Sequence, residues 1–114
     1  MITASSDITH YSYRVTWSVE DDEFVATCLE FPSLSWLADT QEGALRALRD
    51  VVAEVVDDLR RNEEQVPEPL SSRPYSGKFN LRVGQQLHRK LAMEAAAENL
   101  SLNQYVVRRL TNAS

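Results

Sequence analysis

Residues 78–83 read Lys-Phe-Asn-Leu-Arg-Val, a strict alternation of long polar and apolar side chains. In an extended strand successive side chains point to opposite faces, so Phe79, Leu81 and Val83 share one face and Lys78, Asn80 and Arg82 the other. The polar face carries the chemistry that reads base edges. Arginine reaches two acceptors on guanine, asparagine pairs bidentately with adenine, and lysine is a flexible donor to guanine or phosphate. The major groove admits a two-stranded ribbon, which one strand cannot make. Two copies paired antiparallel about a two-fold axis would present six readout side chains and turn both apolar faces inward.

The segment behind this strand has to hold it. Residues 84–98 and 102–110 each carry helical apolar spacing, lined by Leu87, Leu91, Ala92 and Ala95 in the first helix and by Tyr105, Val106 and Leu110 in the second. Asn99 is placed to end the first helix in a left-handed turn, and Ser101 is a natural N-cap for the second. So short a strand-helix-helix segment lacks a core of its own, and a dimer supplies one by burying Phe79, Leu81, Val83, Leu91 and Tyr105 together. Arg89, Lys90, Arg108 and Arg109 are secondary phosphate candidates, since exposed helix charges are more often merely solvated.

Charge divides the chain as sharply as pattern does. The 114 residues carry a net −5. Residues 1–70 hold five arginines and no lysine against fifteen acidic residues, a net of −10, whereas residues 71–114 hold seven basic residues against Glu94 and Glu98, a net of +5. An acidic half repels phosphate and attracts basic proteins, and a basic half does the reverse. One chain is equipped for two kinds of partner.

Other chemistries find little support. Asp21, Asp22 and Glu23 are consecutive in a turn and do not make the clustered carboxylates of a two-metal nuclease. His10 and His88 have no second ligand at metal-binding spacing, and Cys28, the lone cysteine, reads as a buried structural thiol. No catalytic residue, metal or cofactor is expected, and the protein is read as non-enzymatic. The start of the chain lacks a basic, apolar signal pattern and no run is long enough to span a bilayer, so a cytoplasmic location without membrane association is expected.

The acidic half reads as β-β-β-α. Residues 11–19 alternate, with Tyr13, Val15, Trp17 and Val19 on one side; residues 20–22 form a turn, residues 23–30 return as a second strand, and residues 34–38 supply a third. Trp17 is assigned to the core with Tyr13 and Val15, while Trp36 is left open between core and partner contact. Asp39 and Glu42 have the spacing of an N-cap and its reciprocal partner, starting an amphipathic helix over residues 40–62. The proline- and serine-rich residues 66–77 read as a linker between a first domain at 1–65 and a last at 78–114.

GKFNLRV, a helix, then LSLNQYVVRRL resembles the ribbon-helix-helix family of Arc and MetJ over residues 77–112. That resemblance implies Lys78, Asn80 and Arg82 as base readers, and a phosphate clamp at Ser101, Leu102 and Asn103 at the start of the second helix. With PEP and YSG in the junction and LNQY in the last helix, the whole chain resembles HicB antitoxins. The implied fold is α+β, an N-terminal partial ribonuclease H-like domain followed by a ribbon-helix-helix module completed by dimerisation. The implied partners are HicA, a small basic messenger-RNA-cleaving toxin held by a first domain that has lost catalysis, and operator DNA, through which the chain represses its operon as a homodimer. Assembly to a tetramer stays open. Gly84 stands where these modules often have proline, and Gly43 weakens the first turn of the long helix. The rival readings are a stand-alone ribbon-helix-helix regulator whose acidic domain oligomerises or senses something else, and an active nuclease.

Overall fold

A computed structural model describes residues 8–113; residues 1–7 of the expected first domain and Ser114 of the last lie outside the described residues. The architecture is α+β, with strands β1 (Tyr13–Ser18), β2 (Glu23–Cys28) and β3 (Ser35–Ala38) and helices α1 (Gln41–Arg61), α2 (Gln85–Ala97) and α3 (Leu102–Ala113). Two compact units divide between Tyr75 and Ser76.

In the first unit the strands form an antiparallel sheet in the order β1-β2-β3. The β1–β2 hairpin closes through residues 19–22: the Asp22 amide donates to the Ser18 carbonyl at 2.9 Å, the Ser18 hydroxyl to Asp21 Oδ2 at 2.9 Å, and Asp22 sits at φ 55°. Aspartate tolerates that left-handed conformation, and its neighbour's carboxylate is occupied within the turn itself. β1 stops at Ser18, leaving Val19 exposed in the turn, and β2 stops at Cys28, each shorter than the alternation predicts because the turn and the bend around Phe31 and Pro32 end the pairing.

The helix begins one residue later than expected. Thr40, not Asp39, is the N-cap: its extended backbone (φ −126°) lets Oγ1 accept from the Gly43 amide at 3.0 Å. A Cβ at Gly43 would lie 2.8 Å from that oxygen, so the glycine which weakens the first turn also makes room for its cap. At the far end Glu63 adopts φ 55°, with the Glu64 amide donating to the Leu59 carbonyl at 2.8 Å and the Glu63 amide to Arg60 at 3.1 Å, the paired bonds of a Schellman closure.

Ala44, Leu48, Val52 and Val56 form the fully buried stripe of α1 and meet Ala26, Cys28, Phe31, Tyr11 and Ile8. Cross-strand register puts Tyr13, Val15, Trp17, Phe24, Ala26, Cys28, Trp36 and Ala38 on the helix side of the sheet. Trp17 departs from its expected place in the core. It is 49 % exposed, because it lies at the hairpin end of an edge strand, edge-on to Phe24 with ring centroids 4.9 Å apart.

Residues that follow the helix come back onto this unit. Val66 packs against the core, the Tyr11 hydroxyl donates to the Pro67 carbonyl at 2.7 Å, and the Leu70 amide donates to Glu30 Oε2 at 2.9 Å. Glu30 also accepts from the Ser12 amide at 2.9 Å, the Ser12 hydroxyl at 3.2 Å and the Cys28 thiol at 3.5 Å. Burial works to raise this carboxyl, but the amide hydrogen bonds from Leu70 and Ser12 outweigh it and hold it below the ordinary glutamate value. Burial likewise pushes the Cys28 thiol up, the state of an inert structural thiol.

A carboxylate with a depressed folded pKa contributes stability that is present above its unfolded pKa and lost as pH falls through the folded one. Acidification below about pH 4.3, the ordinary glutamate value, should therefore loosen residues 67–70 first. Because every partner named above is a donor, Glu30→Gln presents an NH2 to a donor and should cost about 1–3 kcal/mol at neutral pH. Urea unfolding at pH 7, with amide exchange at Leu70, checks this; unchanged stability and protection would count against a holding role for Glu30.

Candidate nucleic-acid interface

The second unit begins with a short extended lead. Ser76 Oγ accepts from the Lys78 amide at 3.1 Å and donates to the Lys78 carbonyl at 3.2 Å, while Gly77 takes φ +82°. Residues 78–83 then run without strand pairing, since a ladder needs a neighbouring strand and one chain offers none here. Lys78, Asn80 and Arg82 are exposed. So are the apolar side chains between them: Phe79 at 80 % and Leu81 at 64 %, with Val83 half-buried.

Gly84 precedes α2 at φ +85°, ψ 162°, with no side-chain cap, and its carbonyl accepts from the His88 amide at 3.1 Å. Proline is locked near φ −65° and could not adopt this backbone. α2 ends as predicted: Asn99 is left-handed at φ 58°, the Leu100 amide donates to Ala95 at 3.0 Å and the Asn99 amide to Ala96 at 3.1 Å.

The predicted cap of α3 is also present. Ser101 Oγ accepts from the Gln104 amide at 3.0 Å, and Gln104 Oε1 accepts from the Ser101 amide at 3.0 Å. This reciprocal capping box fixes the start of the helix, where the amides of Leu102 and Asn103 have no partner within a helical ladder. Of the three expected clamp residues, Ser101 thus has its amide engaged by Gln104, and Leu102 and Asn103 occupy the first two helical positions.

Little holds α2 and α3 together. Among the described residues of this unit, Ala95 and Tyr105 are the buried ones, with Leu91 half-buried beside them in sequence pattern. The Tyr105 hydroxyl donates to Glu94 Oε1 at 2.7 Å, a bond that with desolvation pushes the phenol above its ordinary value. Arg108 forms an ion pair with Glu98, and its guanidinium lies 5.9 Å from the centre of the Tyr105 ring. These bonds join the helices side by side, but Leu87, Met93, Val107 and Leu110 remain exposed with Phe79 and Leu81. Arg108, a secondary phosphate candidate in the sequence, is paired with Glu98 here. The glutamine partner of Ser101 was missed, although Ser-x-x-Gln is a legible capping signal.

The sequence model of the HicB family matches residues 62–110, which begins at the C-cap Asn62 just past α1 and includes the returning strap and every residue of the interface just described. Over that segment the chain is similar to the HicB family. The match suggests a HicB-type toxin–antitoxin component, and the matched segment begins after the sheet and α1, so β1 to β3 and α1 fall outside it. Neither the comparison with curated proteins nor that with solved structures gave a match. Among the described residues no helix is long and apolar enough to cross a membrane, and no group of three or more histidine, cysteine or acidic side chains is placed to hold a metal ion.

Proposed function

We propose that this protein is a non-enzymatic HicB-type antitoxin that binds a small basic, HicA-like messenger-RNA-cleaving toxin through its acidic first unit and represses its own operon by binding operator DNA through its second. In this reading residues 78–83 of two chains pair as a ribbon, Lys78, Asn80 and Arg82 enter the major groove, and the start of α3 at Ser101, Leu102 and Asn103 holds a phosphate. The first unit, a β-β-β-α sheet and helix, is taken as a partial ribonuclease H-like domain used for binding.

The observation that carries the reading is the open apolar face of a family-matched module: Phe79 and Leu81, alternating with Lys78, Asn80 and Arg82, are mostly exposed in one chain together with Leu87, Met93, Val107 and Leu110. Pairing two copies covers that face with its own equivalent and places the three polar residues outward together. The opposite charges of the two halves supply the two partners, basic protein on one side and phosphate on the other.

Co-purification of the full chain with the product of the adjacent small reading frame, followed by titration against the promoter at two salt concentrations, tests both activities. A stoichiometric complex that shifts its promoter supports the proposal. Promoter binding with no protein partner would instead favour a stand-alone regulator. Within the DNA-binding activity, Asn80→Ala and Arg82→Ala should each lose about 1–3 kcal/mol of discrimination between operator and scrambled DNA while the dimer persists. Fluorescence anisotropy on both DNAs checks this, and full discrimination by the Arg82 variant would remove that residue from the reading surface.

A further inference from the structure

The acidic unit carries an aromatic patch that its own fold leaves half uncovered. Trp17 and Phe24 are directly cross-strand and stack edge-on at 4.9 Å, and Trp36 stands one pair further along β3 on the same side of the sheet. Diagonal neighbours of this kind lie about 7–8 Å apart at Cα, within reach of aromatic side chains. Trp17 is 49 % and Trp36 45 % exposed, and neither belongs to the side chains packed against the core, whereas Phe24 does. Single exposed apolar residues are ordinary, but two half-exposed tryptophans on either side of a half-buried phenylalanine place on one sheet face the residue types that dominate protein interfaces.

The hairpin loop directly beyond Trp17 and Phe24 is Val19-Glu20-Asp21-Asp22, followed by Glu23 at the start of β2. Three carboxylates, Glu20, Asp21 and Asp22, thus lie at one end of the patch, all on the loop that joins the two strands bearing Trp17 and Phe24, whereas Glu23, paired with Ser18, belongs to the outer face. Residues 1–70 as a whole carry net −10. An apolar, aromatic centre with an acidic rim fits a basic protein surface, since rim charges steer the encounter and exclude acidic partners while buried aromatics hold the complex. Phosphate-bearing partners are repelled by the same rim.

We propose that Trp17, Phe24 and Trp36, rimmed by Glu20, Asp21 and Asp22 of the hairpin loop, are the docking surface for the basic toxin. The inference rests on the toxin-binding reading above and assigns it to one face of the first unit. The outer face of the sheet, with Arg14, Thr16, Thr27 and exposed Leu37, is not part of the contact.

The test uses the full chain and the purified product of the adjacent small reading frame, followed by calorimetry and stopped-flow binding. Trp17→Ala and Trp36→Ala should each weaken the complex by roughly 30-fold or more, chiefly through faster dissociation. The double variant Asp21→Asn with Asp22→Asn keeps the turn, because asparagine accepts the Ser18 bond and tolerates a left-handed backbone; it should slow association several-fold and flatten its salt dependence. Leu37→Ser is the outer-face control and should bind as the parent does. Thermal melts establish that each variant is folded, and the charge variant carries the test if a tryptophan variant is not. Parent-like affinity and association rate in the tryptophan and charge variants, or a loss confined to Leu37→Ser, would overturn the docking surface while leaving the antitoxin reading intact. Failure of the parent chain to bind the basic protein at all would overturn both.

Discussion

Phe79→Ala should leave the protein monomeric and unable to hold its promoter, with the first unit intact. The reasoning turns on where the ring sits in each state. In one chain it is 80 % exposed, so its removal deprives the isolated fold of almost nothing. In the paired ribbon it would face the equivalent ring, Leu81 and Val83 across a two-fold axis, along with Leu91 and Tyr105 of the helices behind. Deleting a buried aromatic costs about 3–5 kcal/mol, and a symmetric interface contains the deletion twice. That exceeds what a small module's dimer can lose at micromolar concentration, where the whole association is worth about 8 kcal/mol. Sedimentation should therefore show the mass of one chain at concentrations where the parent is dimeric, with the thermal melt of the first unit unchanged. Lys78→Ala, on the opposite face of the same strand, should sediment as the parent. A Phe79→Ala dimer of undiminished stability would remove residues 78–83 from the interface and with them the ribbon.

Much of this molecule is written in local sequence, and the parts that are not share a cause. Helix boundaries at Asn99 and Ser101 were legible because capping depends on residues within one turn: a left-handed asparagine and a serine hydroxyl act on amides three or four positions away. The stripe Ala44, Leu48, Val52 and Val56 was legible because burial on a helix repeats with its period. The cap of α1 slipped from Asp39 to Thr40 because both residue types can cap, and the choice was made by chain entry from β3, with Gly43 leaving room for the threonine oxygen. Glu30 was not legible at all. Its partners Ser12 and Leu70 are 18 and 40 residues away, and no periodicity joins them. Trp17 was placed in the core on alternation, which reports the face of a strand but not whether the covering helix extends over it.

The candidate interface was legible for the same local reason and is incomplete for a different one. Alternation at residues 78–83 separates base-reading from apolar side chains without reference to any distant residue. The ribbon that would use them needs a second chain, so one chain displays the components with both faces open. The basic helix residues behave less uniformly than composition implies: Arg108 is tied to Glu98 and lies over Tyr105, which makes it part of the helix pair before it is available to DNA.

The two proposed activities should separate cleanly when one core is broken. Leu48 is fully buried on α1, among Ala26, Cys28, Val52 and Val56, in a core cluster that contains no residue from beyond Val66. Leu48→Ala removes three heavy atoms from a site with no route for water and few ways to collapse, at a cost of about 2–5 kcal/mol. A domain of this size has about 5–10 kcal/mol in total, so the first unit should melt far earlier or be unfolded at 37 °C. The second unit shares none of that cluster: its buried residues, Ala95 and Tyr105, sit on α2 and α3. The variant should therefore lose the toxin and keep specific promoter binding, the reverse of Arg82→Ala. Calorimetry against the toxin and anisotropy against the promoter, run on one preparation, measure both. Loss of both activities together would mean that the DNA-binding dimer needs the first unit folded, placing an essential part of its assembly in the acidic domain; retention of toxin binding would mean that the sheet and α1 are not what holds the toxin.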